Sequence, residues 1–148
     1  HTERSVRFWD PIAAEETPAS AAAQAEAHAR VVVDVAVSAD GAAAATSDAA
    51  GARFWDLATG RQTRHVALGE RVIAFHPDGK SYFGFCPTWG VVRRRELGSL
   101  AEVRCFPAPV AVWAGPRAVP PPGNGNGGRL VTAAVSPDGT RVAAADAA

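Results

Sequence analysis

Side chains able to do chemistry are thinly scattered along this chain. Four histidines, His1, His28, His65 and His76, share no metal-ligand spacing, so the sequence predicts no metal centre and no bound cofactor. Cys86 and Cys105 are too few for a disulfide framework or a four-ligand zinc site. They read as two reduced, partly buried thiols, with a single disulfide as the other reading. Gly123–Gly128 resembles a phosphate loop, but no G-K-[ST] follows and Pro120–Pro122 rather than a strand precedes it; it reads as a linker. No G-x-S-x-G elbow is present to orient a nucleophilic serine. Asp40, Asp78 and Asp138 look like repeated acids, yet they recur at one position of one kind of turn. Acid–base catalysis needs two groups in different environments, so these three are expected to be structural. The one charge run is Arg93-Arg94-Arg95. On a strand Arg93 and Arg95 point one way and Arg94 the other. Salt bridges and stems packed against a neighbouring element are the plain expectation for them. The sharper one makes Arg93 and Arg95 contacts for an acidic partner. The expected protein is not an enzyme.

The elements that would position these residues are written in two alternating signals. The first is a tripeptide, Phe8-Trp9-Asp10 and again Phe54-Trp55-Asp56, each preceded by an arginine. The second is a turn: Val37-Ser38-Ala39-Asp40-Gly41, Phe75-His76-Pro77-Asp78-Gly79 and Val135-Ser136-Pro137-Asp138-Gly139. Asp56 follows Asp40 by 16 residues, and Glu96, which aligns with the tripeptide aspartate, follows Asp78 by 18. The return interval is elastic, at 30, 22 and 42 residues.

Each signal has a physical meaning. Asp-Gly after a short apolar run is a hairpin turn, since glycine tolerates positive φ and aspartate accepts from its own backbone. Val31–Val37, Val72–Phe75 and Val131–Val135 enter these turns as short strands rich in β-branched residues, expected to be buried on both faces. Ala42–Thr46, Ser81–Cys86 and Thr140–Ala145 return from them, and Arg53–Trp55 and Val91–Arg95 supply third strands. Arg61–Leu68 is a fourth. A four-stranded antiparallel sheet cannot bury both faces alone, but repeated sheets stacked about an axis can.

At this point the chain resembles the WD-repeat family of β-propellers, over residues 1–106 and 129–148. The resemblance implies an all-β fold of antiparallel four-stranded blades. Its structural motif residues are Trp9, Asp10, Asp40, Gly41, Trp55, Asp56, Asp78, Gly79, Asp138 and Gly139. It also implies a buried network in which a Gly-His histidine joins a Ser or Thr, an Asp and the W-D tryptophan. No Gly-His pair occurs here; Gly69-Glu70 takes that place in one repeat, and Arg95 replaces a tryptophan. Thr46, Ser47, Asp48 and Trp55 could form part of the network, with Asp48 one residue out of register. The blades are therefore expected to rest mainly on apolar packing, the polar network weakened or missing.

Strand counting divides the chain as follows. Residues 1–10 end one blade and 11–30 form an Ala-rich connection, with a helix start at Thr17-Pro18 or an irregular loop. Residues 31–68 and 69–106 are two blades, 107–128 a Pro/Gly-rich insert, and 129–148 the start of a further blade. Propellers close with 4–8 blades, so the expectation is an incomplete ring, the rest lying in the same full-length chain. Balanced charge, 15 Lys+Arg against 15 Asp+Glu, removes the electrostatic case for nucleic acid or an anionic membrane. No apolar run approaches the ~18 residues of a membrane span. Fourteen arginines against the single Lys80 point to GC-rich, bacterial coding; the sequence does not identify the compartment, the cytoplasm being favoured. The resemblance implies a scaffold that binds protein partners, a reading that fold alone does not prove. The alternative is the propeller domain of a larger enzyme, or a periplasmic S-P-D-G-type propeller, with the chemistry elsewhere.

Overall fold

The structure is a computed structural model, and it describes residues 6–10, 12–18, 28, 30–88, 90–107 and 129–147. Among these every regular element is a strand and none is a helix. The expected helix start near Thr17 and the Pro/Gly-rich insert fall largely outside the described residues.

Local turn chemistry sets the frame. In the first turn the Gly41 N–H donates to the Ser38 carbonyl at 3.0 Å, and the Asp40 carboxylate accepts from the Ser38 hydroxyl at 2.6 Å and the Ala42 N–H at 3.0 Å. Gly41, Gly79 and Gly139 all have φ between +66° and +69°, the left-handed region that glycine enters without strain. These turns join β3 (Asp34–Val37) to β4 (Ala43–Asp48), β7 (Arg71–Phe75) to β8 (Ser81–Cys86) and β11 (Arg129–Val135) to β12 (Val142–Ala147). The tripeptide Phe54-Trp55-Asp56 ends β5 (Gly51–Asp56), which leads to β6 (Gln62–Val66). In the next repeat β9 (Val91–Glu96) leads to β10 (Glu102–Pro107). Phe8-Trp9-Asp10 ends in β1 (Trp9–Asp10), which pairs with β2 (Glu15–Glu16). β2 lies in the stretch expected to be only a connection.

Two sheets are complete and of identical order, β3-β4-β5-β6 and β7-β8-β9-β10, and two have two strands each, β1-β2 and β11-β12. All pairings are antiparallel, with Ala44 opposite Trp55 in one complete sheet and Tyr82 opposite Arg95 in the other. Alternation along β4 sends Ala44 and Thr46 to one face and Ala45 and Ser47 to the other. Ala36, Ala45, Ala52, Phe54 and Val66 meet Val72 and Tyr82 of the next sheet. There Phe54 stacks edge-on against Tyr82, centroids 5.3 Å apart. Burying one such side chain stabilises by about 1.5–3 kcal/mol. Phe83, Phe85 and Val92 then receive Ala133, Val135 and Val142 of β11-β12, while Val6 covers Ala44 and Trp55 from the β1-β2 side. The Val72 N–H donates to the Ser47 hydroxyl at 2.9 Å, tying the complete sheets together.

The first strand of each repeat is expected from its β-branched residues to be buried on both faces, yet Val31, Val33, Val35 and Val37 are 51–67% exposed. Only Ala36, on the opposite face of β3, is buried. The valines lie on the side that β1-β2 covers further out, and nothing among the described residues continues that cover inward to β3.

Candidate functional site

Two polar clusters occupy the same place in successive sheets, on the face each turns to its predecessor. In β3-β6 the Trp55 indole N–H donates to the Thr46 hydroxyl at 2.7 Å. His28 Nε2 meets that same hydroxyl at 2.6 Å, and His28 Nδ1 lies 2.9 Å from Asp48 Oδ2. All four side chains are buried, Trp55 at 0% exposure. Burial would raise the Asp48 carboxyl, but bonds from His28 and from the Ala50 and Gly51 N–H groups bring it below its ordinary value. A chain of buried polar groups is stabilising only when each is satisfied, and here the described partners satisfy the key atoms.

This overturns the expectation of a weakened network in this repeat. Asp48 is in register, on the same face as Thr46. The histidine comes from His28, which stands twelve residues before Asp40 and follows alanine rather than glycine. A search for Gly-His passes over it; counting back from the turn aspartate finds it.

In β7-β10 the corresponding residues are different. Twelve residues before Asp78 stands Val66, Thr46 is matched by Gly84 and Trp55 by Arg95. Into this space comes Glu70, 4% exposed. Arg95 grips it through Nε to Oε2 and Nη2 to Oε1, both 2.8 Å, the two-pronged geometry that makes guanidinium–carboxylate pairs strong. Arg93 Nη1 reaches Oε1 at 2.5 Å, and Arg93 Nε also reaches Glu102 at 3.0 Å. Burial alone would raise the Glu70 carboxyl; Arg95 and Arg93 hold it below the ordinary glutamate value. Burial pushes the adjacent Tyr82 hydroxyl up to about 12, with the Glu70 charge adding to it. A Cβ built on Gly84 would lie 2.8 Å from Glu70 Oε2. Glycine at 84 is what makes room for the carboxylate.

The other predicted residues fall into place as turn and strand residues. Trp9 is 58% exposed on β1, whereas its counterpart Trp55 is fully covered. Asp10 accepts from the N–H groups of Ile12 and Ala13, and Asp56 from the Thr59 N–H and hydroxyl. Asp78 and Asp138 lie well below the usual carboxylate range, both at about 2. For Asp78 burial opposes the shift, but the Lys80 N–H, the Ser81 hydroxyl, His76 and Arg94 outweigh it. For Asp138 the Ser136 hydroxyl leads, followed by Thr140. Strand alternation places Arg93 and Arg95 together, as read from the sequence, and sends Arg94 the other way, to Asp78 at 2.5 Å. Both expected partner-contact arginines spend their charge on Glu70. Cys86 is buried and Cys105 exposed, and neither is in a disulfide. Among the described residues no cluster of His, Cys, Asp or Glu could hold a metal ion.

Antiparallel order puts Asp40, Asp56, Asp78, Glu96 and Asp138 at one end of their sheets. The Leu57 N–H donates to the Ala42 carbonyl and the Leu97 N–H to the Lys80 carbonyl, so the two turns of each complete sheet lie side by side. The Gly139 turn abuts the ring of His76, so neighbouring sheets present these turns along one edge. The arrangement offers a carboxylate-lined edge whose acids are committed to their own turns, and among the described residues it sets no nucleophile beside a base.

A scan against protein-family models found no match, and a search of the curated proteins found none either. Among solved structures the chain is similar to Kuenenia stuttgartiensis hydrazine synthase, with 20% identity and a TM-score of 0.61 over 95% of this chain. The chain spans 35% of the length of that one. That protein contains a β-propeller, and the likeness supports a propeller-type stack of sheets here.

Proposed function

We propose that this chain is part of a WD-repeat β-propeller and serves as a non-catalytic scaffold for protein partners, its contact surface being the turn-bearing edge. The observation that carries the reading is the buried linkage of His28, Asp48, Thr46 and Trp55. It is the network that the sequence resemblance implies for WD repeats, assembled here without the usual glycine before the histidine. Its effect is to fix β3-β6 rigidly, so that the turns at Asp40 and Asp56 are held in one geometry. Rigid presentation lowers the ordering cost of binding. Arg93 and Arg95 belong in this reading to the junction beneath the edge, where Glu70 holds them.

The test is in-cell cross-linking of the protein in its producing organism, comparing wild type with an Asp40→Asn, Asp56→Asn, Asp138→Asn variant. A reproducible partner lost in the variant, with the far-UV spectrum unchanged, supports the scaffold. Absence of any reproducible partner in wild type refutes it.

A second reading has one observation of its own. The similar solved structure is named as a synthase and is almost three times as long as the matched segment. On that reading the sheets form the propeller portion of a larger enzyme whose chemistry lies in another domain. A catalytic domain encoded on the same polypeptide, active only when joined to these sheets, would favour it over the scaffold.

A further inference from the structure

The two complete sheets join their third and fourth strands by turns of one design. Each turn opens on an acid whose N–H donates to the carbonyl five residues on, Asp56 to Arg61 and Glu96 to Ala101, both at 3.0 Å. The carbonyl of that acid accepts from the N–H four residues on, Gly60 at 2.8 Å and Leu100 at 2.9 Å. The backbone of this last residue is left-handed in both turns, with φ +69° at Gly60 and +62° at Leu100. Glycine enters that region freely, whereas a side chain there crowds the following carbonyl. In the second turn the glycine stands two residues early, at Gly98, where φ is not positive and an added Cβ would meet nothing within 4 Å. The turn thus holds glycine where its freedom goes unused and leucine where that freedom is needed. Strain of this kind persists only where the surroundings over-determine it.

Three contacts supply that constraint. Leu100 and Leu97 pack against the cluster that holds Phe54, Val72 and Tyr82. The Leu100 carbonyl accepts from Arg95 Nη1 at 3.1 Å. Glu70 grips the same guanidinium through Nε and Nη2, which aims Nη1 at the turn. From the preceding sheet, Arg64 Nη1 donates to the Gly98 carbonyl at 3.0 Å and also to that of Leu97. The Gly60 turn is braced from within, by the Asp56 carboxylate on the Thr59 N–H and hydroxyl.

We propose that residues 97–100 form a switchable turn, closed by Arg95 and Arg64, with Glu70 setting the latch through Arg95. In the released state Leu100 returns to negative φ, and Gly98 is the hinge that absorbs the change. Leu97 and Leu100 then leave the apolar junction, and Arg64 no longer ties β6 to the following sheet. The turn so carries the state of a buried carboxylate to the exposed edge where Gly98 and Ser99 lie. Local opening at a free energy below that of global unfolding is the physical form of such a switch. The inference depends on the Glu70 cluster and not on the scaffold role.

Native-state hydrogen exchange of the 148-residue chain tests it, with the Gly60 turn as internal control. In wild type the Leu100 and Glu96 amides should be about tenfold less protected than those of Gly60 and Asp56, the left-handed penalty of one side chain read as a fold-change. Glu70→Gln and Arg64→Gln should each widen that gap about fivefold more, the worth of one hydrogen bond, and leave Gly60 and Asp56 as they were. Equal protection of the two turns in wild type overturns the proposal. So does a gap that either variant leaves unchanged, because both arginines are needed for the latch. Loss of protection at all four amides together would show that the turn opens only with the sheets, and this too overturns it.

Discussion

The complete sheets β3-β6 and β7-β10 share strand order, turn chemistry and the Asp-Gly corner, yet they fill the same buried position by opposite means. One uses neutral and singly charged groups in a chain, His28 to Thr46 to Trp55 with Asp48 at the end. The other uses one carboxylate between two guanidinium groups. The exchange is concerted. Histidine becomes Val66, threonine becomes Gly84, tryptophan becomes Arg95, the aspartate position becomes Cys86, and Glu70 enters from four residues further along, on the loop just before β7. Any single one of these changes would leave a buried polar group without a partner, at about 1–3 kcal/mol. The position therefore demands satisfied polarity and the right volume, and not a particular set of residues. The difference is testable because the two solutions fail differently.

The largest effect is expected from Glu70→Ala, which leaves Arg93 and Arg95 facing each other at the junction, only 17% and 15% exposed. Breaking a buried pair by removing one partner costs about 3–5 kcal/mol, and here two cations lose their common anion. Urea unfolding of wild type and variant measures it. A loss under about 1 kcal/mol, the worth of an exposed pair, would mean that solvent reaches the arginines and that the cluster is ornamental. Thr46→Val should cost less, about 2 kcal/mol. It keeps the shape but strands the Trp55 N–H and the His28 ring nitrogen together. If Thr46→Val proved neutral, the hydrogen-bonded chain would not be what fixes β4, β5 and His28 together in β3-β6.

Acid provides the third comparison. Glu70 titrates below its ordinary value when folded, so its contribution is fully present above the unfolded value near 4.5 and fades as pH falls through the lower folded one. Protonation leaves Arg93 and Arg95 as buried like charges. The wild-type Tm should thus fall more steeply between pH 5 and pH 3 than that of Glu70→Gln, which has already lost the charge. Asp48, also lowered, adds the same slope to both proteins and drops out of the difference. Parallel curves would show that the carboxylate of Glu70 is not what the two arginines bind.

The sequence made the framework readable because hairpin turns are local. Asp40-Gly41, Asp78-Gly79 and Asp138-Gly139 state their backbone geometry within five residues, and the strands on either side follow from them. β2 was not readable, since two glutamates in an Ala-rich stretch carry no alternation. His28 was hidden by an expectation about the residue before it, although its distance from Asp40 marks it. The Glu70 cluster was the hardest to see. Its members lie on β9 and on the loop entering β7, and an ion pair across strands has no fixed spacing. The usable signal was that Trp→Arg and Thr→Gly occur together, a loss of bulk beside a gain of charge. Read jointly, the two changes announce an incoming anion.

That pairing sets the smallest and most specific prediction. Gly84→Ala places a methyl 2.8 Å from Glu70 Oε2, in a carboxylate that Arg95 holds from two sides and cannot simply swing away. Overpacking of this kind costs about 1–3 kcal/mol, and the lower end is expected because the clash is with a side-chain tip. In a Glu70→Ala background the same substitution meets only the Cβ left at position 70, at an ordinary contact distance of 3.4 Å, and should cost nothing, or stabilise slightly by filling the gap. The double-mutant cycle should therefore show a coupling of about 1 kcal/mol between positions 84 and 70. Additive effects would mean that glycine at 84 answers a backbone requirement of β8 instead, and the account of how the second sheet replaced the first sheet's threonine would have to be abandoned.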